Sequence, residues 1–311
     1  MPKIAFVFSG QGAQYPGMGK SLFETSPAAR RLYEAAEKIR PGICDLSFSG
    51  TAEELKQTVN TQPALYLVGL AAALALREAG IEAEAAGGFS LGELPALAYA
   101  GAYGAEEGFS LVLKRAEFMA RAASDMPGEP AMTAVMRLSP GEIEEICGGI
   151  PDLWPANYNA PEQTVVSGTA EGAAKFREEL AARGISARLA DLPVSGAFHT
   201  PFMSPAAEKF AAVLEKTAFS RPRIPVWANR TGARYPDGTE DYAGLLAGQI
   251  ESPVRWTDEI RSMIESGVDT FVECGAGKTL CGLIRRIDKN AAVFQAEDAG
   301  TLAATAAALK G

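Results

Sequence analysis

Ser90 sits in Gly88-Phe89-Ser90-Leu91-Gly92-Glu93, a G-x-S-x-G pattern that follows a strand-like run and precedes a helix-like one. In that setting the two glycines let the chain turn sharply and expose the Ser90 hydroxyl at the carboxyl edge of a sheet. The amide of Leu91, at the start of the helix, then faces the oxygen that gains charge when a serine attacks a carbonyl. A serine hydroxyl needs a base near neutral pH, and the chain contains a single histidine, His199. It stands just ahead of Pro201, a residue suited to the first turn of a helix. Taken alone, a histidine at that boundary reads as a capping or packing residue. Paired with an elbow serine, it completes a nucleophile and its base, in the serine-before-histidine order of α/β-hydrolase sites.

Arg115 adds an electrostatic element. In the helix spanning about 109 to 123, Val112, Arg115, Ala116 and Met119 share one face, while Lys114, Glu117 and Arg121 lie on the other. An arginine aimed at the core is either a snorkelling or ion-paired structural residue or a clamp for a carboxylate on the substrate. Met119, one turn on, is a candidate to line the same substrate site. After the first strand, Ser9-Gly10-Gln11-Gly12-Ala13-Gln14 places backbone amides at the sheet edge, and the amide of Gln11 is a candidate second oxyanion donor beside that of Leu91. This turn is not a dinucleotide loop, because Tyr15 occupies the third glycine position. Gly275-Ala276-Gly277-Lys278-Thr279 ends like a phosphate-binding loop but has Val272 where the first glycine belongs, so nucleotide hydrolysis is excluded.

These residues need a scaffold, and 311 residues with 47% hydrophobic and 22% charged content supply a sizeable core. Ile4 to Phe8 is a continuous apolar run, the pattern of a strand buried on both faces of a parallel sheet. Helices are expected near 21–39, 62–79, 91–100 and 105–122, with a strand near 84–89, which is the α/β alternation. The 13-residue apolar run Ala64–Leu76 is too short to span a bilayer and reads as a buried helix. From about residue 127, strands at 131–137, 153–158, 164–167 and 185–190 enclose helices at 140–147 and 171–183, the βαββαβ order of a ferredoxin-like unit. The α/β pattern then resumes, with helices near 201–217, 241–249 and 256–266, strands near 224–228 and 270–273, and an Ala-rich final helix at 302–309. The expected architecture is an α/β-hydrolase-like core with a parallel sheet, made of 1–126 and 197–311, and an inserted ferredoxin-like subdomain at 127–196.

Composition narrows the partners. A net charge of −9 opposes general binding to nucleic acid or to an anionic membrane. Cys44, Cys147, Cys274 and Cys281 lack paired spacing, and with one histidine they offer no metal site. They suit a reducing compartment. Met1-Pro2-Lys3 leads directly into a strand without the features of a signal peptide, so a cytoplasmic location is expected, and a monomer.

Taken together the chain resembles the malonyl-CoA:acyl carrier protein transacylase family, which includes polyketide-synthase acyltransferase domains. The resemblance runs nearly end to end. It rests on Phe8 to Gln14, Gly88 to Glu93, Lys114 to Met119, Asn157 to Pro161, Val165 to Gly168, Phe198 to Met203, Gln249 to Trp256 and Glu273 to Lys278. It implies that Ser90 is acylated by malonyl, His199 is its base, Arg115 anchors the free carboxylate, and the amides of Gln11 and Leu91 form the oxyanion hole. It also implies that the main-chain carbonyl of Gln249 orients His199, in place of a triad acid; Asp191, the nearest upstream candidate, reads as a loop or strand-end residue. Phe198 resembles the bulky residue of malonyl-type members, leaving little room for an α-methyl branch. The chain departs from the family at Phe89, commonly histidine, and at Ala276, commonly proline.

The implied substrates are malonyl-CoA and the phosphopantetheine thiol of acyl carrier protein, with no further cofactor. Such carriers are typically acidic, so docking calls for a local basic patch. The candidates are Arg221, Arg223, Arg230 and Arg234; Arg285, Arg286 and Lys289; and Lys175, Arg183 and Arg188. The rival readings are a serine esterase or thioesterase built on the same Ser90 and His199, and a non-catalytic carrier-binding module.

Overall fold

The structure, a computed structural model, describes residues 2–311. Its strands are β1 (Ile4–Phe8), β2 (Ala85–Gly88), β3 (Pro130–Met136), β4 (Leu153–Ala160), β5 (Gln163–Thr169), β6 (Arg188–Asp191), β7 (Trp227–Ala228), β8 (Ala233–Arg234), β9 (Thr270–Cys274) and β10 (Ala292–Ala296). The first sheet has the order β10-β9-β1-β2 and is parallel throughout. Every residue of β1 is buried, and its side chains alternate between two cores. Phe6 and Phe8 join one that includes the Thr58–Glu78 helix, whereas Ala5 and Val7 join another around Trp256, Met263 and Phe271. Helices therefore cover both faces, as a parallel sheet requires. Burying each phenylalanine contributes about 2 kcal/mol.

The Thr58–Glu78 helix is longer than the 13-residue apolar run anticipated. At 21 residues it is long and apolar enough to cross a membrane, yet 83% of its most apolar stretch is buried inside the protein. Burial, not length, marks it as a core helix. Pro63 lies inside it and has no N–H for the Val59 carbonyl. The Arg40 guanidinium donates to that carbonyl at 2.8 Å and so satisfies the acceptor that Pro63 leaves open.

Two expected elements are corrected. The single helix at 21–39 is two helices, Lys20–Thr25 and Pro27–Ile39, because Ser26 is extended and caps the second through Ala29 N–H, with Pro27 at its first position. The strand expected at 224–228 is reduced to Trp227–Ala228, because Pro222 and Pro225 have no amide proton to donate. Val226 still bridges Ala86 in parallel, and Pro225 accepts from Ala86 N–H, so this segment runs along the free edge of β2. Short helices at Ile43–Ser49 and Ala52–Lys56, the Thr279–Ile287 helix and β10 were not anticipated.

The second sheet has the order β4-β5-β3-β6 and is antiparallel. Its third strand in chain order lies between the first and second, which is the split arrangement of a ferredoxin-like unit. Helices Pro140–Gly148 and Ala170–Ala182 pack on it through Ile143, Ile146, Phe176 and Leu180 around Val135 and Val166. The first of these starts with a capping box between Ser139 and Glu142. The two sheets join where Val254 pairs with β4: its N–H donates to the Ala156 carbonyl and its carbonyl accepts from Tyr158 N–H, both at 2.9 Å.

Candidate active site

Ser90 follows β2 in a short 3₁₀ turn that leads into the Glu93–Ala100 helix. The turn is possible only with glycine on both sides. A Cβ at Gly88 would lie 2.0 Å from Gly92 backbone atoms, and one at Gly92 would lie 2.0 Å from the Phe8 carbonyl oxygen. Ser90 itself has φ 53° and His199 φ 62°, so both residues hold left-handed conformations. Such strain costs about 1–3 kcal/mol per residue and gathers at functional sites.

His199, nearly fully buried, places Nε2 2.8 Å from Ser90 Oγ. Its Nδ1 lies 3.0 Å from the Gln249 carbonyl and 3.1 Å from the Ser252 carbonyl. A carbonyl only accepts, so Nδ1 carries the proton and Nε2 is left as the acceptor for the serine hydroxyl. Burial first, and the nearby Arg115 charge second, push the His199 pKa down to about 4. The imidazole is therefore neutral, and able to take a proton, throughout the physiological range.

Arg115 is completely buried on the predicted face of the Ala105–Asp125 helix. Its guanidinium donates to Gln62 Oε1 at 2.8 Å, to Gln249 Oε1 at 2.8 Å and to Ser90 Oγ at 3.1 Å. All three acceptors are neutral. Nε has no partner, and burial lowers the pKa to about 10, against which the Glu93 charge acts weakly. A buried guanidinium without a carboxylate in contact is electrostatically incomplete. It lies beside a hydroxyl and an imidazole poised for nucleophilic attack. The arrangement can acylate Ser90 with a group that carries its own anion.

The other anticipated residues take varied places. Leu91 is buried in the first turn, where helix geometry leaves its N–H without an internal acceptor. Gln11 is half-buried in the turn after β1, and that turn packs on the elbow, since a Cβ at Gly10 would lie 2.5 Å from the Phe89 carbonyl oxygen. Met119 is buried and its sulfur accepts from Gln62 Nε2 at 3.4 Å. Phe198 is buried in the main core, and Phe89 meets Trp256 edge-on with ring centroids 5.6 Å apart. Asp191 ends β6, bonded to Thr133 and Arg177 and not to His199.

A model of the acyl transferase domain family matches residues 5–304. The chain belongs to the acyltransferase family. It is 38% identical over 307 residues to the malonyl CoA-acyl carrier protein transacylase of Bacillus subtilis, covering 97% of this chain and 96% of that one. Among solved structures it resembles malonyl CoA-acyl carrier protein transacylase from Clostridium perfringens, with a TM-score of 0.93, 36% identity and coverage of 99% and 97% of the two chains. It also resembles the transacylase in a complex of a type II PKS acyl-carrier protein with its malonyl-transacylase, with a TM-score of 0.92, 31% identity and coverage of 98% and 99%.

Beneath Ser90 this acyltransferase holds a buried polar network that sequence reasoning did not find. The Gln249 side chain, and not only its carbonyl, is central: Nε2 donates to the Ser90 carbonyl at 2.8 Å and to Glu93 Oε2 at 2.7 Å. Glu93 also accepts from Tyr235 and from Asn229 N–H. Asn229 reaches on to Glu259. Burial raises the pKa of Glu93, and burial together with Glu93 holds Glu259 well above the usual carboxylate range. The available signal was Glu93 itself, a carboxylate one residue past the elbow at the start of an apolar helix.

The three candidate basic groups differ in how they are paired. Arg221 and Arg234 share Asp237, which lies just past the acid-free stretch, while Lys175 pairs with Glu171, and Arg183 with Glu145 and Glu179. Arg285, Arg286 and Lys289, at the end of the Thr279–Ile287 helix, have no ion pair among the described residues.

Proposed function

We propose that this acyltransferase moves the malonyl group from malonyl-CoA to the phosphopantetheine thiol of acyl carrier protein, through a malonyl ester on Ser90. The observation that carries this reading is the meeting at one oxygen of a base and a cation: Ser90 Oγ lies 2.8 Å from His199 Nε2 and 3.1 Å from Arg115 Nη2. In the first half, Ser90 Oγ attacks the thioester carbon as its proton passes to His199. The oxyanion is held by the amides of Leu91 and Gln11. The carbon–sulfur bond then breaks, and His199 returns the proton to the departing CoA sulfur. In the second half the pantetheine thiol gives its proton to His199 and attacks the malonyl ester carbon; the bond from that carbon to Ser90 Oγ breaks, and His199 returns the proton to Oγ, restoring both residues. One base and one oxyanion site serve both halves, so the kinetics are ping-pong.

Arg115 supplies the cation for the free malonyl carboxylate, a charge-assisted pair that also completes the buried guanidinium. Met119 and Phe198 line the acyl site, and the bulk of Phe198 disfavours an α-methyl branch. CoA and phosphopantetheine enter as parts of substrate and partner, and no resident cofactor is needed. In this reading the protein works as a cytoplasmic monomer, with 127–196 inserted as a subdomain between 1–126 and 197–311. The acidic carrier docks at Arg285, Arg286 and Lys289.

Labelled malonyl-CoA tests the central step. Wild-type protein is expected to retain one covalent malonyl group on Ser90 that a carrier-protein thiol discharges, and Ser90→Ala is expected to retain none. Equal labelling of both overturns the mechanism.

A further inference from the structure

Asn229, completely buried in the turn after β7, bonds to the backbone on both sides of Phe89, where the chain enters the elbow. Its Oδ1 accepts from Ser90 N–H at 2.6 Å, and its Nδ2 donates to the Gly88 carbonyl at 2.6 Å and to Glu259 Oε2 at 2.7 Å. An amide N–H only donates and a carbonyl only accepts, so these two backbone groups fix which way the Asn229 amide faces. The Asn229 main chain is tethered too: its N–H donates to Glu93 Oε2 at 3.0 Å, and its carbonyl accepts from Arg255 N–H at 2.9 Å. Extended Phe89 lies between the clamped Gly88 and Ser90 groups, and Ser90, held through its N–H by Asn229 and through its carbonyl by Gln249 Nε2 at 2.8 Å, has φ 53°. A non-glycine residue persists there when its surroundings over-determine it. The clamp also occupies the Ser90 amide, which leaves the Leu91 amide as the elbow donor facing substrate.

We propose that Asn229 is a positioning residue. It touches no substrate but holds the Gly88–Ser90 backbone in the strained turn, so that Oγ meets both His199 Nε2 and the incoming carbonyl. Glu259, bonded to the same Nδ2, keeps the amide from shifting. This inference rests on Ser90 being the acylated residue.

The test compares Asn229→Ala and Asn229→Asp with wild type. The readouts are the rate at which a fluorophosphonate modifies Ser90, the steady-state transfer of malonyl from malonyl-CoA to acyl carrier protein, and Tm. Asn229→Asp keeps the volume and the acceptor for Ser90 N–H but turns an oxygen toward the Gly88 carbonyl and Glu259. Both variants are expected to lose on the order of 10²-fold in fluorophosphonate rate and in kcat, as for a misplaced reacting group, with KM for malonyl-CoA within about threefold of wild type. Adding Glu259→Gln to Asn229→Asp supplies a new donor and is expected to recover about tenfold in kcat.

Folded Asn229→Asp with fluorophosphonate rate and kcat near wild type overturns the proposal. So does a rise in KM alone, or a double variant no faster than Asn229→Asp. Should Asn229→Ala fail to fold, the isosteric variant carries the test. Wild-type protein that reacts with fluorophosphonate at Ser90 yet transfers no malonyl refutes the malonyl reading and leaves the Asn229 result standing.

Discussion

At the carboxyl edge of the parallel sheet, buried polar side chains are joined to one another. Arg115, Gln62, Gln249, Glu93, Asn229 and Glu259 form a continuous chain of hydrogen bonds beneath Ser90. Single atoms of that chain, Arg115 Nε and Glu259 Oε1, lack partners, but every member is tied to another; in the antiparallel sheet of residues 130–191 Asn159 Oδ1, Thr164 Oγ1 and Ser167 Oγ have no partner, and buried Thr133 bonds only outward, to exposed Asp191. Its charges lie outside, in pairs such as Arg177 with Asp191 and Arg183 with Glu145. The backbone does not separate the two by strain alone: Ser90 and His199 hold positive φ in the first region, and Arg137 and Asp152 do so in turns of the second, where Gly168 also has no room for a Cβ. What differs is where the strain sits, on the reactive residues themselves in the first region. In the second, Ser139 and Thr169 cap regular helices. A connected buried network fixes side chains in one geometry and makes each member costly to change, whereas isolated polar atoms confer no such precision. The parallel sheet carries the networked region, and the antiparallel sheet is a packed layer beside it whose strained residues, Arg137 and Asp152, lie in turns.

That contrast can be tested at several strengths. His199→Ala gives the largest effect: with no other imidazole in the chain, transfer should fall by about 10²–10⁴-fold while the fold is kept. Activity near wild type would mean that the geometry at Ser90 is incidental. Arg115→Ala should lower kcat/KM for malonyl thioesters relative to acetyl by at least about 10²-fold, the scale of losing one partner of a buried charge pair. Unchanged discrimination removes Arg115 as the anion site.

The pH profile comes next. His199 serves as a base only when neutral. Because burial and Arg115 lower its pKa to about 4, kcat/KM should stay level as the pH falls through 6.5 and drop only on approach to about 4. Arg115→Ala removes the second of those causes and should move the acid limb upward. The same shift bears on stability. The unfolded chain binds a proton near pH 6.5 and the folded chain does not, so this contribution is complete above that pH and shrinks as pH falls toward 4. It amounts to about 3 kcal/mol and can be read from urea midpoints across that range.

Smallest is Ser167→Ala. Removing a buried hydroxyl that has no partner should leave Tm unchanged or slightly raised, with normal malonyl transfer. A marked loss in either readout would show that the antiparallel sheet also holds a working network.

Much of this was legible in the sequence where one residue type admits one role. The G-x-S-x-G pattern located the elbow because glycine alone fits where a Cβ would strike the Gly92 or Phe8 backbone. The solitary histidine located the base, and helical spacing aimed Arg115 inward. Less was legible where a residue's role depends on distant partners. Asn229 and Glu259 are 30 positions apart, and Asn229 is 139 from Ser90, so no local pattern announces their contact. Asp237 is three residues from Arg234 and so a local partner, but its contact with Arg221, 16 positions away, is made only by folding. The break at Ser26-Pro27 carried a visible capping signal that helical periodicity alone overrode.

The sequence by itself determined the layers and the reactive atoms. Apolar periodicity sets which faces are buried, and the chemistry of serine, histidine and arginine is local to each side chain. Tertiary structure decided what holds those atoms in place. The tautomer of His199, the uncompensated charge of Arg115 and the clamp on Ser90 each depend on hydrogen bonds between segments far apart in the chain, and only folding brings those donors and acceptors within 3 Å or so of one another.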